Sequence, residues 1–212
     1  YLPGKSVAEL EREYGVTNAI KLASNENPLG PGQKALAAAT QALAELTRYP
    51  DGNAFELKHQ LAAKYQVDES CITIGNGSND ILELLARVFL KPGTNAVFSE
   101  HAFAVYPIAT QAVGASANIA KAFSQDHAMP FGHNLPAMLA CINDDTRLVF
   151  IANPNNPTGT WLSSADLLSF IEQVPAHIVV VVDEAYFEYV DEADYPDTLS
   201  WMSRFSNLVI TR

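Results

Sequence analysis

Hydrophobic residues follow two different periodicities along this chain. In some segments apolar side chains recur three and four positions apart, which predicts helices with one buried face. Other segments are short apolar runs bounded by Gly, Pro, Asn or Asp, which predict strands. The helical pattern covers residues 33–47, 55–65, 80–90, 106–113, 135–140 and 163–173. The strand pattern covers residues 71–74, 96–99, 116–120, 147–152, 178–182 and 208–211.

Helices and strands therefore alternate over most of the chain. This order predicts an α/β fold in which a mostly parallel sheet is flanked by helices. Residues 1–32 differ, because they contain several prolines and glycines and the turn Asn25-Glu26-Asn27-Pro28. We expect them to form an extended arm rather than a packed element.

The composition is that of a globular protein. The 212 residues are 48% hydrophobic and 17% charged, which is enough apolar material for a buried core and argues against disorder. The formal net charge is -11 and the 13 lysines and arginines are scattered, so the basic surface of a nucleic-acid-binding protein is absent. No apolar stretch approaches the ~20 residues that a membrane-spanning helix needs.

Two cysteines, Cys71 and Cys141, are present and do not form a CxxC pair. Each is followed by an isoleucine in apolar surroundings. This pattern predicts reduced, buried thiols in a cytoplasmic protein.

A glycine-rich turn, Gly75-Asn76-Gly77-Ser78-Asn79, separates the predicted strand 71–74 from the predicted helix 80–90. Backbone N–H groups and the positive end of the helix dipole make such a turn a potential anion site, for which phosphate is the natural guest. An ordinary strand-to-helix connection also explains these residues. The turn lacks both the lysine of a P-loop and the GxGxxG spacing of a dinucleotide-binding motif.

Asp183 follows a run of six residues, His177 to Val182, that is apolar enough to be buried on both faces. A carboxylate at the end of such a strand needs a cationic or protonated partner, because burying an isolated charge is costly. The protonated pyridine nitrogen of pyridoxal phosphate would be such a partner, and the ring would then act as an electron sink. Alternatively, Asp183 caps the segment that follows it.

Two further polar residues lie just beyond predicted strands. Asn156 follows the strand 147–152, and Tyr186 is three residues beyond Asp183. Both could donate hydrogen bonds to the phenolate oxygen of the same cofactor and lower the pKa of an internal imine. The alternatives are a turn residue in a proline-rich loop for Asn156 and a core aromatic residue for Tyr186.

Five motifs occur together in the order and spacing of fold-type I aminotransferases, and in detail the chain resembles the histidinol-phosphate aminotransferases. The motifs are Ser24-Asn25-Glu26-Asn27-Pro28, Arg48-Tyr49-Pro50-Asp51-Gly52, Gly75-Asn76-Gly77-Ser78-Asn79, Ala152-Asn153-Pro154-Asn155-Asn156-Pro157-Thr158-Gly159 and Asp183-Glu184-Ala185-Tyr186. The resemblance implies a fold-type I pyridoxal-phosphate fold. Residues 1–47 would form an amino-terminal arm and part of a small domain, and residues 48–212 would form the large cofactor-binding domain.

The resemblance also implies residue roles. Ser78 and Asn79 would hold the cofactor phosphate, and Phe103 would stack on the pyridine ring where the family commonly has tyrosine. This exchange keeps the aromatic face but loses a hydroxyl. The alternative for Phe103 is a core aromatic residue. Asn156 and Tyr186 would bind the ring oxygen, while the ring nitrogen would be bound by Asp183.

Other implied roles concern the dimer and the substrate. Tyr49 would reach the cofactor phosphate of the partner subunit in a homodimer, and Tyr1 and Asn25 would line the substrate pocket. In this family the Schiff-base lysine lies shortly after the strand that corresponds to residues 207–211 of this chain. We therefore expect the lysine just beyond Arg212. None of the seven lysines in this sequence matches its position, and we expect the sequence to be the amino-terminal part of a longer chain.

The implied reaction is transamination of L-histidinol phosphate with 2-oxoglutarate, which gives imidazole acetol phosphate and glutamate in histidine biosynthesis. Four alternatives remain open: an aromatic amino-acid aminotransferase, a threonine-phosphate decarboxylase, a non-enzymatic regulator domain of the same fold, and a plain nucleotide-binding Rossmann domain. The acidic charge and the absence of a winged-helix segment count against the regulator. The absence of a dinucleotide-binding motif with GxGxxG spacing counts against the Rossmann domain.

Overall fold

The computed structural model describes residues 5–212 and divides into two compact units, one ending at Phe55 and the other running from Glu56 to Arg212. The first unit contains helices α1 (Val7–Tyr14) and α2 (Gln33–Ala42), and a 3-10 turn (Leu43–Glu45) follows α2 directly. The predicted helix 33–47 is therefore confirmed in its first part and is shorter than expected.

Helix α1 shows that the prediction of an extended arm was wrong over this stretch. The Ser6 side chain accepts a hydrogen bond from the Glu9 backbone N–H, and Gly15 ends the helix at φ 65°. Ser6 and Glu9 have the S-x-x-E spacing of a capping box, and glycine is the usual residue at a left-handed helix end. The sequence thus carried local signals for a helix that the proline and glycine content obscured.

The second unit is an α/β structure built on a five-stranded sheet. Every strand pairing is parallel, and the strand order is β2-β1-β3-β4-β5. The strands are β1 (Asn95–Ser99), β2 (Ser116–Ala120), β3 (Thr146–Ala152), β4 (Val179–Asp183) and β5 (Leu208–Thr211). The helices are α3 (Phe55–Tyr65), α4 (Gly77–Phe89), α5 (Val105–Ala112), α6 (Leu135–Ala140) and α7 (Ser164–Gln173). The predicted parallel sheet flanked by helices is confirmed.

The predicted strand at 71–74 is wrong. A 3-10 turn (Glu69–Cys71) occupies its start, because the Asp68 carboxylate accepts the Ser70 backbone N–H at 2.8 Å and caps the turn. Cys71 is consequently exposed and Cys141 is only partly buried, so the expectation of two buried thiols is also wrong. Helix α4 begins at Gly77, so that the end of the glycine-rich turn becomes the first turn of the helix.

Side chains on the two faces of the sheet belong to two separate hydrophobic clusters. Val149, Ile151 and Val180 lie in the cluster that includes residues of α6 and α7, whereas Leu148 and Phe150 lie in the cluster that includes residues of α4 and α5. Successive residues of a strand point to opposite faces, so both faces of β3 are covered. Each fully buried aliphatic side chain contributes about 1.5–3 kcal/mol, which makes the central strands a rigid support.

His133 connects this core to the end of β3. The side chain is 2% exposed, and its Nε2 lies 2.9 Å from the carbonyl oxygen of Ala152, the last residue of the strand. Because a carbonyl only accepts, Nε2 carries the proton and donates it. Burial lowers the pKa of His133 from 6.5 to about 4, and the bond to Ala152 opposes this shift only in part. The imidazole is therefore neutral in the folded protein near pH 7.

We predict that His133 makes the fold sensitive to acid. The unfolded chain takes up this proton near pH 6.5 and the folded chain only near pH 4, so the contribution is fully present above pH 6.5 and is lost as the pH falls towards 4. Lowering the pH from 7.5 to 5 should cost roughly 2 kcal/mol at this residue. Urea unfolding at the two pH values should show a smaller loss for His133→Gln than for the parent protein. The same change at exposed His177 is the control, and equal losses in all three proteins would contradict the prediction.

Candidate functional site

The carboxyl ends of three neighbouring strands lie side by side at one edge of the sheet. Asp183 at the end of β4 pairs in register with Ala152 of β3 and with Thr211 of β5. In open α/β sheets this edge is where ligands bind. The side chains of the residues that follow these strands are therefore candidates for a functional site.

Asp183 is 4% exposed, and its carboxylate is held by neutral donors. The Thr211 hydroxyl donates to Oδ1 at 2.9 Å and the Tyr106 hydroxyl donates to Oδ2 at 2.9 Å. Burial raises the pKa of Asp183, and bonds from Thr211, Tyr106 and the Ala185 backbone oppose that rise. Within residues 5–212 no basic side chain forms an ion pair with this carboxylate, so a bound cation would find a strong partner there.

A cavity of about 80 Å³ lies at this edge and brings five of the sequence-predicted residues together. They come from the first turn of α4, the loop after β1, the loop after β3, the end of β4 and the loop after β4. The lining residues are Ser78, Phe103, Ala152, Pro154, Asn156, Asp183, Ala185 and Tyr186.

Asn156 and Tyr186 face each other in this cavity. The Asn156 amide Nδ2 lies 3.5 Å from the Tyr186 hydroxyl oxygen, which is the outer limit of a hydrogen bond. Both groups are donors, and a long bond between them is easily exchanged for bonds to an acceptor. The two side chains therefore converge on this cavity.

The glycine-rich turn sets up the other end of the cavity. Gly77 has φ 71°, a conformation that favours glycine, and it places Ser78 and Asn79 in the first turn of α4. Backbone N–H groups in a first helical turn have no partner within the helix, and the helix dipole adds partial positive charge there. Ser78 lines the cavity, whereas Asn79 is exposed and does not.

Three predicted residues belong to the first unit of the chain and not to the unit that contains the cavity. Asn25 and Tyr49 belong to the first unit, where both are exposed. Tyr1 lies outside the described residues. Their assigned roles in the substrate pocket and across the dimer remain predictions.

The loop after β3 is shaped by two asparagines whose roles the sequence analysis missed. Asn153 Oδ1 accepts the Leu162 backbone N–H at 2.8 Å, and Asn155 Nδ2 donates to the His101 carbonyl and to the Thr158 hydroxyl, each at 2.7 Å. Both Asn-Pro bonds of the loop are cis. Asparagine and proline are typical turn formers, but the sequence analysis assigned a role only to Asn156 among the asparagines of this loop.

A buried ion pair lies beside the site. Glu184 is fully buried, and it accepts hydrogen bonds from the Thr198 hydroxyl at 2.6 Å and from Arg212 Nε at 2.8 Å. The Arg212 guanidinium also lies 3.8 Å from the ring centroid of Phe187. Burial raises the pKa of Glu184, while Thr198 and Arg212 act in the opposite direction. The pair ties the segment after β4 to the end of β5, and the sequence analysis had assigned it no role.

A larger cavity, of about 450 Å³, is lined by residues of α6, α7 and the segment 123–133. Most of its lining is apolar, and two of its polar residues are engaged locally, Asp166 with Ser163 and Gln173 with Ser169. Its carboxylate, Asp166, is exposed, whereas Asp183 in the smaller cavity is buried. The chemistry of the lining, rather than volume, therefore identifies the smaller cavity as the candidate site.

Neither a metal site nor a membrane span was found in the described part of the chain. Among residues 5–212, no group of three or more His, Cys, Asp or Glu side chains is placed to hold a metal ion. No helix among residues 5–212 is both long and apolar enough to cross a bilayer.

Comparison with known proteins places this geometry in a family. The family described as aminotransferase class I and II matches residues 17–212, nearly the whole chain. The chain belongs to this aminotransferase family. The resemblance inferred from the five motifs is thereby confirmed.

Named relatives of this aminotransferase chain are histidinol-phosphate aminotransferases. Those of Pseudomonas fluorescens and Pseudomonas aeruginosa are each 58% identical over 214 residues, covering 100% of this chain and 56% of their own length. The chain thus spans little more than half of these relatives. The solved structure of histidinol-phosphate aminotransferase from Sinorhizobium meliloti in complex with pyridoxal-5'-phosphate has a TM-score of 0.88 and 26% identity, and the match covers 99% of this chain and 55% of that one. This likeness confirms the predicted fold type.

We predict that Arg212→Met is strongly destabilising because it leaves the Glu184 carboxylate buried without its cation. The methionine keeps the apolar packing on Phe187, so the loss reports mainly on charge. Breaking a buried pair typically costs about 3–5 kcal/mol, and the free energy of unfolding in urea should fall by a similar amount.

The matched control is the double variant Glu184→Gln/Arg212→Met, in which the amide oxygen still accepts from Thr198. It should recover at least about 1 kcal/mol of the loss because no buried charge remains. A double variant as unstable as Arg212→Met alone would show that the charge of Glu184 is not the cause.

Proposed function

We propose that this chain is the pyridoxal-phosphate-binding part of an aminotransferase. The observation that carries the proposal is the convergence of a buried carboxylate, an amide, a phenol and an aromatic ring on one cavity beside the first turn of α4. These groups fit the cofactor's ring nitrogen, ring oxygen, flat face and phosphate. The buried Asp183 carboxylate, which has no basic partner in residues 5–212, supports the fit most directly.

Each group would have a distinct task. Asp183 would keep a proton on the pyridine nitrogen, because an ionised carboxylate favours the charged form of its neighbour. Asn156 and Tyr186 would donate to the ring oxygen, and Phe103 would stack on the ring. When bound, pyridoxal phosphate supplies an electron sink for the electron pair left on the substrate's α-carbon after deprotonation.

The remaining assignments rest on the family resemblance. Ser78 and Asn79 would hold the phosphate through the first turn of α4. Tyr49 would reach the phosphate bound by the partner subunit of a homodimer, and Asn25 and Tyr1 would contribute to the substrate pocket. The division into a part of the small domain at residues 1–47 and a large domain at 48–212, and a cytoplasmic location, belong to the same proposal.

The proposed reaction is transfer of the amino group of L-histidinol phosphate to 2-oxoglutarate, giving imidazole acetol phosphate and glutamate. The names of relatives that are 58% identical over the whole chain support this substrate. An aromatic amino-acid aminotransferase or a threonine-phosphate decarboxylase would use the same cofactor contacts. Substrate specificity depends on pocket details beyond those contacts, so fold alone does not choose among them.

Assays of the purified full-length protein with each amino donor and 2-oxoglutarate distinguish these candidate substrates. L-Histidinol phosphate should have a kcat/KM at least about a hundredfold above those of phenylalanine and tyrosine, a transition-state difference of about 2.7 kcal/mol. Threonine phosphate should release no CO2. A higher kcat/KM for an aromatic amino acid, or CO2 release, would replace the proposed substrate. Absence of turnover with every donor, despite bound cofactor, would favour the regulator.

We predict that Asp183→Asn in the full-length protein lowers kcat by at least about a hundredfold, because an amide cannot hold the ring nitrogen protonated. Turnover of L-histidinol phosphate and far-ultraviolet circular dichroism should be measured together. The substitution removes a buried charge and keeps the side-chain shape, so the fold should be retained. Asp126→Asn, at an exposed position, is the control for loss of one negative charge. Parental turnover in Asp183→Asn would remove Asp183 from its proposed role.

A further inference from the structure

Tyr106 is a fully buried tyrosine to which neither the motifs nor the proposed cofactor contacts give a role. It lies in α5, 77 residues before Asp183, and its hydroxyl donates to Asp183 Oδ2 at 2.9 Å. Its whole side chain is 0% exposed, so water cannot replace that bond. Tyrosine is rarely buried to this degree unless its hydroxyl has a partner.

The ring of Tyr106 contacts three other aromatic side chains, of which Phe150 and Phe103 bear on the site. It stacks on Phe150 of β3 with ring centroids 4.8 Å apart and planes 6° from parallel. It meets Phe103 edge to face, with centroids 5.9 Å apart and planes at 89°. Tyr106 therefore contacts both the carboxylate proposed for the ring nitrogen and the aromatic residue proposed for the ring face.

The carboxylate of Asp183 cannot rotate freely while Tyr106 is in place. Thr211 holds Oδ1 and Tyr106 holds Oδ2, so turning the carboxylate plane would break both bonds. Donors to an ionised carboxylate also favour its charged form. Burial and the nearby charge of Asp183 raise the pKa of Tyr106 well above its ordinary range, so the phenol keeps its proton and remains a donor.

We propose that Tyr106 is a positioning residue that holds Asp183 ionised and correctly oriented for the cofactor's ring nitrogen. The inference rests on the proposed function, because it requires a basic ring nitrogen at Asp183. Removing the hydroxyl leaves Oδ2 buried without its donor, so the proton shared between ring and carboxylate shifts towards the carboxylate. The same change leaves the aromatic packing against Phe150 and Phe103 in place.

The test is Tyr106→Phe in the full-length protein loaded with pyridoxal phosphate labelled with 15N in the ring. The ring 15N chemical shift should move from the parental value, which lies between those of pyridinium and pyridine because the proton is shared with Asp183, towards that of unprotonated pyridine. The dissociation constant for pyridoxal phosphate should rise about tenfold. A general loss of stability would not change the protonation of bound cofactor. The matched control is Tyr195→Phe, which removes a hydroxyl that donates to the Asn153 carbonyl instead of to Asp183, and its 15N shift should equal the parental one.

A second substitution tests the inference without removing a hydrogen bond. Site-specific 3-fluorotyrosine at position 106 has a more acidic hydroxyl and nearly the same shape, so it should move the ring 15N shift further towards the protonated value. A parental shift in both position-106 variants would overturn the role of Tyr106 and leave the proposed function standing. A parental protein that binds no pyridoxal phosphate, or binds it with an unprotonated ring, would overturn both.

Discussion

A carboxylate buried at the end of β4 must be stabilised without a basic side chain from residues 5–212, and much of the site follows from that requirement. Asp183 terminates a strand that is covered on both faces and is only 4% exposed, so water solvates its charge poorly. Isolated burial of this kind is expensive. Two hydroxyls and a backbone N–H offset the cost in part, and a cationic ligand would offset the rest.

The parallel sheet makes this arrangement possible. Because all five strands run in the same direction, Ala152, Asp183 and Thr211 lie next to one another at one edge. Helices cover both faces of the sheet and position the neighbours of Asp183. The first turn of α4 and the end of β4 thereby line one small cavity. The partial positive charge of the helix N-terminus would face the phosphate of a cofactor there, and the negative charge of Asp183 would face its protonated ring.

The residues around the site divide into those that would contact a cofactor and those that hold such residues in place. Asn153 and Asn155 shape the loop that carries Asn156, and the Glu184–Arg212 pair joins the segment after β4 to the end of β5. Tyr106 links the carboxylate to the aromatic wall. Such supporting interactions are needed because a binding site must be held within a fraction of an ångström to be effective.

The sequence by itself determined the α/β class and the five strands of the sheet, and it singled out five residues that line the smaller cavity. These follow from local information, namely apolar runs such as 178–182, the turn residues that bound them and motifs of known spacing. Local signals also misled: residues 71–74 have a strand-like pattern, but Cys71 ends a 3-10 turn and no strand forms there, and the capping box at Ser6 was outweighed by nearby prolines and glycines. Only the tertiary structure placed Tyr106 and Thr211 on Asp183, across 77 and 28 residues, because such contacts depend on helix packing and strand register rather than on any local pattern.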